Sequence, residues 1–208
     1  MIITVDGPAA AGKGELSRRL ATHLDYARLD TGQIYRAVGC RVLRDGLDPV
    51  AAAQSLDPAE LDDPALRSEA VAAEASRVAA IPAVRAALLQ FQRDFADHPP
   101  GGKAGAVLDG RDCGTVVCPG APVKFFITAR LDVRAQRRLK ELQTKGLEAI
   151  GSAVLRDMQE RDARDSSRSV APLEPAKDAL VLDTSDMDAD AVFAAALDYI
   201  SRQTGSGR

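Results

Sequence analysis

The sequence predicts an α/β fold in which a parallel sheet is covered by helices. Two observations carry this expectation. The chain begins with a β-like apolar run, Ile2-Ile3-Thr4-Val5, that opens into a glycine-rich turn and then a helical pattern. Further short apolar runs, Ala106-Val107-Leu108, Val123-Lys124-Phe125-Phe126-Ile127 and Ala179-Leu180-Val181-Leu182, are separated by helical patterns, as in sheets whose strands are joined by helical crossovers.

The turn after the first strand reads Asp6-Gly7-Pro8-Ala9-Ala10-Ala11-Gly12-Lys13-Gly14. Its G-x-x-x-x-G-K spacing is that of a phosphate-binding loop, or P-loop. Small residues bring several backbone N–H groups around a phosphate at a helix N-terminus, and the lysine reaches the β- and γ-phosphates. Leu16, Leu20 and Leu24 recur every four residues and give the following helix one apolar stripe to lay on the sheet. Strand, loop and helix therefore predict a bound nucleotide, with Gly7 through Glu15 as the ATP-binding segment, but not a reaction. One departure is visible. The general motif places a serine or threonine hydroxyl near the metal ion, whereas here Lys13 is followed by Gly14 and Glu15. A carboxylate at a helix start suits the helix dipole. Beside a triphosphate it is repulsive unless it faces away or orders water on the metal.

Alanine-rich stretches at 51–53 and 70–87 read as helical, with Pro82 ending one helix and starting the next, and Val84, Leu88, Phe91 and Phe95 at helical spacing. Val133, Leu139 and Leu142 mark a helix after the strand at 123–127, and Val192, Ala196 and Ile200 mark a final one. Residues 31–105 and 145–175 are longer than simple crossovers, so substrate-handling elements are expected there.

A chain of 208 residues supports one main domain, and its net charge of -3 argues against nonspecific nucleic-acid binding. No apolar run of about 18 residues is present to span a membrane, and no charged, then apolar, then small-residue leader pattern is visible, so the cytoplasm is the expected compartment. Cys40, Cys113, Cys118, His23 and His98 lack the number and spacing of a tetrahedral metal site, and free thiols are expected.

Phosphoryl transfer needs positive charge around developing negative charge, in-line positioning and exclusion of water. Arginine supplies the planar fork for this, and arginines cluster in four places: residues 29–36, Ser76 with Arg85, residues 109–112, and residues 160–168. Ser76 and Arg85 also fit a solvated helix, and Arg161 through Arg168 an alternating-charge helix face. Arg134, Arg137 and Arg138 fit either a surface face or contacts to the ATP phosphates. Asp6 and Asp109 fit water-mediated contacts to magnesium or hydrogen bonds that fix the loop, and Asp183-Thr184 fits an adenine-side contact.

At these residues the chain resembles the cytidylate kinase family, bacterial CMP/dCMP kinases of the nucleoside monophosphate kinase superfamily. The matching motifs are G-P-A-A-A-G-K-G, L-D-T-G-x-I-Y-R, A-S-R-V-A-A-I-P-A-V-R, D-G-R-D-C-G-T-V-V-C-P, A-P-V-K-F-F-I and R-D-x-R-D-S-S-R-S-V-A-P-L, in family order from residue 7 to about 173. The resemblance implies a P-loop NTPase fold with a five-stranded parallel sheet in the order 2-3-1-4-5. It also implies a single domain over 1–208: a core of 1–30, 104–144 and 176–208, a CMP-binding region at about 31–103, and a short lid at about 145–175. It implies ATP and CMP or dCMP as substrates, Mg2+ as cofactor, and Lys13, Arg111 and Arg168 as catalytic groups. Arg111, Arg36 and Arg168 would grip the acceptor phosphate. Asp112, Ser76 and Arg85 would read the base, Arg161 and Asp165 would hold the sugar hydroxyls, and Thr31 and Tyr35 belong to the same acceptor site. A carboxylate facing the exocyclic amine suits cytosine, since uracil presents a carbonyl there.

The resemblance breaks at roughly Pro49 to Arg67, where longer bacterial members carry a small antiparallel β insertion. This stretch has no alternating pattern and no hairpin signal, so a short helical or irregular connection is expected. The leading reading is an ATP:CMP phosphotransferase of pyrimidine nucleotide metabolism, working as a monomer without nucleic-acid or membrane partners. The alternatives are a small P-loop kinase with UMP or a small metabolite as acceptor, and a nucleotide-binding sensor without catalysis.

Overall fold

Strand β1 (Ile2–Asp6) lies at the centre of the sheet, where alternate residues serve two different cores. Ile3 and Val5 pack toward helices α1 (Lys13–Leu24) and α8 (Ala189–Thr204), together with Val107, Val123, Phe125 and Ile127. On the other face, Leu29, Ala106 and Leu108 pack toward α2 (Thr31–Asp45), α3 (Pro49–Gln54) and α5 (Pro82–Asp97). A strand buried on both sides reads as a nearly continuous apolar run, which is how β1 announced itself. The computed structural model describes residues 1–205.

All strand pairings are parallel, in the order β2-β3-β1-β4-β5. The remaining strands are β2 (Ala27–Asp30), β3 (Ala106–Gly110), β4 (Val123–Thr128) and β5 (Leu180–Asp183). The register places Asp6 beside Gly110 and Asp30 beside Asp109, so the acidic carboxyl ends of β1, β2 and β3 meet at one edge of the sheet. That edge is where ligands bind in open parallel sheets.

Two helical outworks stand over this edge. Helix α4 (Glu69–Val78) packs on α2, with Ala37, Cys40, Leu66 and Val71 buried between them. Helices α6 (Leu131–Thr144) and α7 (Gly151–Ser166) pair through Ala135, Leu142, Val154 and Met158, and Ala9 and Ala10 of the phosphate loop pack against that cluster.

The structure redraws some of the expected boundaries. The strand at 106–108 runs on to Gly110, and the last strand is Leu180–Asp183. Between Pro49 and Arg67 the chain forms the short α3 and two 3-10 turns, Pro58–Asp62 and Pro64–Arg67. Each of the three begins at an aspartate, Asp48, Asp57 or Asp63, whose side chain accepts from a backbone N–H, followed by proline at the first helical position. The absence of a hairpin signal thus corresponds to capped helical turns. The interval 145–175 is dominated by the sixteen-residue α7. Its buried positions are few, Val154, Met158 and Asp165, so it lacks the apolar stripe by which helices are recognised.

The close approach of α2 and α4 depends on Gly39. A Cβ added there would lie 3.0 Å from the backbone nitrogen of Ala75 and 3.3 Å from Glu74. Gly39→Val is therefore expected to lower stability by about 1–3 kcal/mol through overpacking, read from urea unfolding.

Candidate active site

The phosphate loop is shaped by its first glycine. Gly7 has φ 141, and a Cβ there would sit 1.9 Å from the Ile127 carbonyl oxygen, so β1 can turn past β4 only with hydrogen at this position. The loop ends at Gly12, which caps α1 in a left-handed conformation. Lys13 is buried, and its Nζ donates to the Pro8 carbonyl at 2.8 Å. Burial, reinforced by the nearby Arg111 charge, lowers its ammonium to about 7 despite the attraction of Asp109.

Beside the loop, a groove of about 440 Å³ runs between the start of α1, α6 and the segment before α8. Its apolar wall includes Leu16, Met187 and Val192. Thr184 is buried there, with its hydroxyl 2.9 Å from the Ala11 carbonyl oxygen and 3.1 Å from that of Thr128. Arg137 donates to the Thr184 hydroxyl at 3.0 Å and to its carbonyl at 2.6 Å. Asp183, by contrast, turns to Ser185, accepting from its backbone N–H at 2.8 Å. Glu15 stands at the groove with its carboxylate bound by Arg18 at 2.7 and 2.6 Å, an exposed pair one helical turn apart.

The second cleft gathers every residue expected on the acceptor side. Thr31, Tyr35 and Arg36 come from α2, Ser76 from α4 and Arg85 from α5. Arg111 and Asp112 follow β3, and Arg161, Asp165 and Arg168 come from α7 and the turn after it. At its floor, Arg85 and Asp112 form a buried ion pair, with the Arg85 guanidinium 5.5 Å from the centroid of the Tyr35 ring. Arg111 Nε donates to one oxygen of Asp165 at 3.0 Å, and Arg168 donates to the other. The space left among these side chains is about 60 Å³, because Asp165 draws the guanidiniums together. Pockets that enclose a small organic ligand measure about 300–1,000 Å³.

Positive charge is in excess here. Arg161 is lowered to about 10, chiefly by burial and then by repulsion from Arg111, and burial also lowers Arg36 and Arg168. The Nε atoms of Arg161 and Arg168 are buried without a hydrogen-bond partner. Guanidiniums in this condition lower their energy by taking an anion, and bidentate phosphate is the one their fork matches.

Arg134 is buried and committed to protein. It donates to the carbonyls of Ala129 at 2.8 Å and Ala9 at 3.4 Å and to Asp162 at 2.7 Å, so it ties α7 to the phosphate loop. Arg138 bridges Glu69 of α4 and Glu141 of its own helix. Asp6 is buried and accepts backbone N–H groups of Cys113 at 2.8 Å and Gly114 at 2.7 Å, in the turn after β3. Burial, only partly opposed by those two bonds, raises its carboxyl to about 6. Asp109 accepts from Ser17 at 3.0 Å and from Arg28 at 3.1 Å, and Arg28 Nε also donates to the Ser17 hydroxyl at 2.8 Å.

Ser17 and Arg28 escaped sequence reasoning, and Arg164 was read only as a member of the 160–168 cluster. Ser17 lies one turn along α1 from Lys13 on the buried face. Arg28 alternates with the buried residues of β2 and shares a face with Asp30. Strand periodicity was the available signal for Arg28. Arg164 lies in the arginine cluster at 160–168, but no sequence signal joined it to Ser76, to whose hydroxyl it donates at 3.2 Å across 88 residues.

Comparison with known proteins points to one family. The family described as Cytidylate kinase matches residues 3–62 and 55–202. A cytidylate kinase of Paramagnetospirillum magneticum is 63% identical over 205 residues, covering 96% of this chain and 97% of that one. Its counterpart from Rhodospirillum rubrum is 58% identical over 210 residues, covering 98% and 99%. Among solved structures, TT1252 from Thermus thermophilus aligns with TM-score 0.52 at 18% identity, covering 98% of this chain and 97% of that one, a likeness of fold alone.

Asp165 gives the cleft an acid-sensitive contribution to stability. Burial alone would raise its carboxyl, but the Arg111, Arg168 and Arg161 guanidiniums more than offset this and hold it below the usual range. A depressed folded-state value stabilises the fold above the unfolded carboxyl value of about 3.9, and that stabilisation is lost as pH falls through the folded value. Asp165→Asn is expected to cost about 3 kcal/mol at neutral pH and to flatten the decline below about pH 4, measured by chemical unfolding across pH.

Proposed function

The chain belongs to the cytidylate kinase family, and on that footing we propose the division of labour by which it moves the γ-phosphate of ATP to CMP, giving ADP and CDP. The observation that carries this reading is one cleft beside the phosphate loop, where the buried Arg85–Asp112 pair and Ser76 meet Arg36, Arg111, Arg161 and Arg168. A paired acid and guanidinium present both an acceptor and donors to a base edge, and the surrounding arginines suit a phosphomonoester.

The acceptor base sits against Asp112, Arg85 and Ser76, with the Asp112 carboxylate accepting from the exocyclic amine of cytosine. The acceptor phosphate takes the place of Asp165 as partner of Arg111 and Arg168, assisted by Arg36, while Asp165 and Arg161 turn to the sugar hydroxyls. This exchange opens the cleft and keeps Arg111 and Arg168 paired with an anion throughout. The contacts named for the base and phosphate do not require a ribose 2′-hydroxyl, so dCMP is an acceptor as well.

ATP lies along the groove by Thr184, with its phosphates on the loop from Gly7 to Glu15. Lys13 leaves the Pro8 carbonyl for the β- and γ-phosphates. With Arg111 and Arg168 it stabilises charge on the transferring group, so the chemistry is positional and electrostatic. Residues 31–103 form the acceptor-binding region, and residues 145–175 form the lid that excludes water.

Among the described residues no cluster of three or more His, Cys, Asp or Glu side chains could hold a metal ion. This fits magnesium that arrives on the triphosphate and keeps most of its water. Of the two carboxylates expected to reach it through water, Asp6 is taken up by the Cys113 and Gly114 N–H groups, and Asp109, whose charge acts on Lys13, would hold it. When bound, the ion neutralises β- and γ-phosphate charge. The net charge of -3 supports a protein without nucleic-acid partners, and among the described residues no helix is long and apolar enough to cross a membrane. The proposed setting is a cytoplasmic monomer.

An ADP-release assay with CMP, dCMP, UMP and AMP tests the acceptor. CMP and dCMP are expected to be turned over well ahead of the other two, and comparable turnover on AMP with none on CMP would overturn the reading. A second expectation follows from Lys13. Its ammonium is lowered to about 7, and a polyphosphate favours the protonated form, so ATP binding at pH 8 should take up a proton and weaken as pH rises. Calorimetry in buffers of different ionisation enthalpy detects the uptake, which Lys13→Met should abolish.

A further inference from the structure

The turn Cys113–Val117, wound wider than an α-helix, follows directly on Arg111 and Asp112. Its own bonds run from the backbone N–H groups of Val117 and Cys118 back to the carbonyls of Asp112 and Cys113. A helical turn leaves its first N–H groups and last carbonyls without internal partners, and here both ends are supplied from elsewhere. Arg93 of α5 donates to the carbonyls of Val116 at 3.1 Å and Val117 at 3.0 Å. At the opening end, the Asp6 carboxylate takes the N–H groups of Cys113 and Gly114, one on each oxygen. Charge-assisted bonds of this kind are short and strong, and burial of Asp6 leaves water little chance to compete for them.

The two supports differ in what they connect. Arg93 shares its helix with Arg85, so it ties the turn to the acceptor side. Asp6 is the last residue of β1 and precedes Gly7, the first residue of the phosphate loop. Its backbone leads directly into that loop, while its side chain holds the peptide groups immediately after Asp112. Among the described residues no other side chain accepts a hydrogen bond from the N–H groups of Cys113 and Gly114.

We propose that Asp6 is a positioning residue for acceptor recognition, holding the Arg111–Asp112 segment in register with the donor phosphate loop through the backbone of Cys113 and Gly114. Asp6 touches neither substrate. Its carboxylate sets where Asp112 stands relative to Arg85 and hence how the acceptor base meets both. This rests on the reading of Asp112 as a contact to the base.

The test is a double-mutant cycle of Asp6→Asn and Asp112→Asn, with KM for CMP, KM for ATP and kcat measured in all four proteins and thermal unfolding confirming the fold. The asparagine keeps the shape but turns an NH2 group toward one of the two backbone donors. In the otherwise unaltered protein, Asp6→Asn is expected to raise KM for CMP about tenfold, the loss of one charge-assisted bond, with KM for ATP nearly unchanged. In the Asp112→Asn background the same change is expected to have less than about a twofold effect, because the residue it positions is already lost. An equal rise in KM for ATP, an equal factor on CMP in both backgrounds, or no change would overturn the proposal. An unchanged KM for CMP in Asp112→Asn alone would overturn the base-reading assignment and the proposal with it. If the asparagine variant does not fold, Asp6→Glu, which keeps the charge but displaces the oxygens, is held to the same expectations.

Discussion

The parallel register of β1, β2 and β3 is the constraint on which the site depends. Parallel strands that start together also end together, so Asp6, Asp30 and Asp109 arrive at one edge of the sheet without any local sequence motif joining them. Everything chemically active is attached at or just beyond these strand ends. The phosphate loop leaves β1, Thr31 to Arg36 leave β2, and Arg111 and Asp112 leave β3. β1 and β3 are fixed by burial on two faces and β2 by burial on one, so each side chain inherits a position paid for by apolar contacts far from the chemistry.

The arrangement also resolves an electrostatic problem. A chain with net charge -3 nevertheless brings Arg36, Arg111, Arg161 and Arg168 into one partly buried cleft. Their mutual repulsion is contained by a single carboxylate, Asp165, which binds two of them at once. Removing charge from water is costly unless partners are at hand, and the same partners must be surrendered when an anion enters. A cluster held by one internal acid meets both conditions better than a cluster of separate ion pairs. The donor groove follows the opposite rule, since its polar groups, Thr184 and Arg137, are already bonded to the protein and its free surface is largely apolar.

The elements that were legible in the sequence are those whose signal is local. The strand at Ile2–Asp6, the loop to Lys13 and the leucine stripe of α1 declare themselves by periodicity and glycine spacing, and the strand order followed from resemblance rather than pattern. Helix α7 declared itself only in part, as one of two readings of Arg161 through Arg168, because its outward surface is charged and its inward contacts are few. The acceptor residues were found as motifs, yet nothing local placed Ser76 beside Arg164 or Asp6 beside Cys113, which are brought together by topology over 88 and 107 residues. Glu15 illustrates the converse. The sequence posed it as a conflict with phosphate, whereas a neighbour one turn away, Arg18, occupies its charge at the surface.

The central position of β1 has a further consequence for how the chain comes to be folded. Ile2 pairs with Ala106, and Ile3 with both Val107 and Val123, so the first strand to leave the ribosome has no neighbour in the sheet until more than half the chain has followed. Helices α2 to α5 are made in the interval and can pack on one another, but the apolar faces of β1 must wait. An apolar strand thus waits without a sheet neighbour through the middle of synthesis, and the long helical interval between β2 and β3 sets the length of that delay.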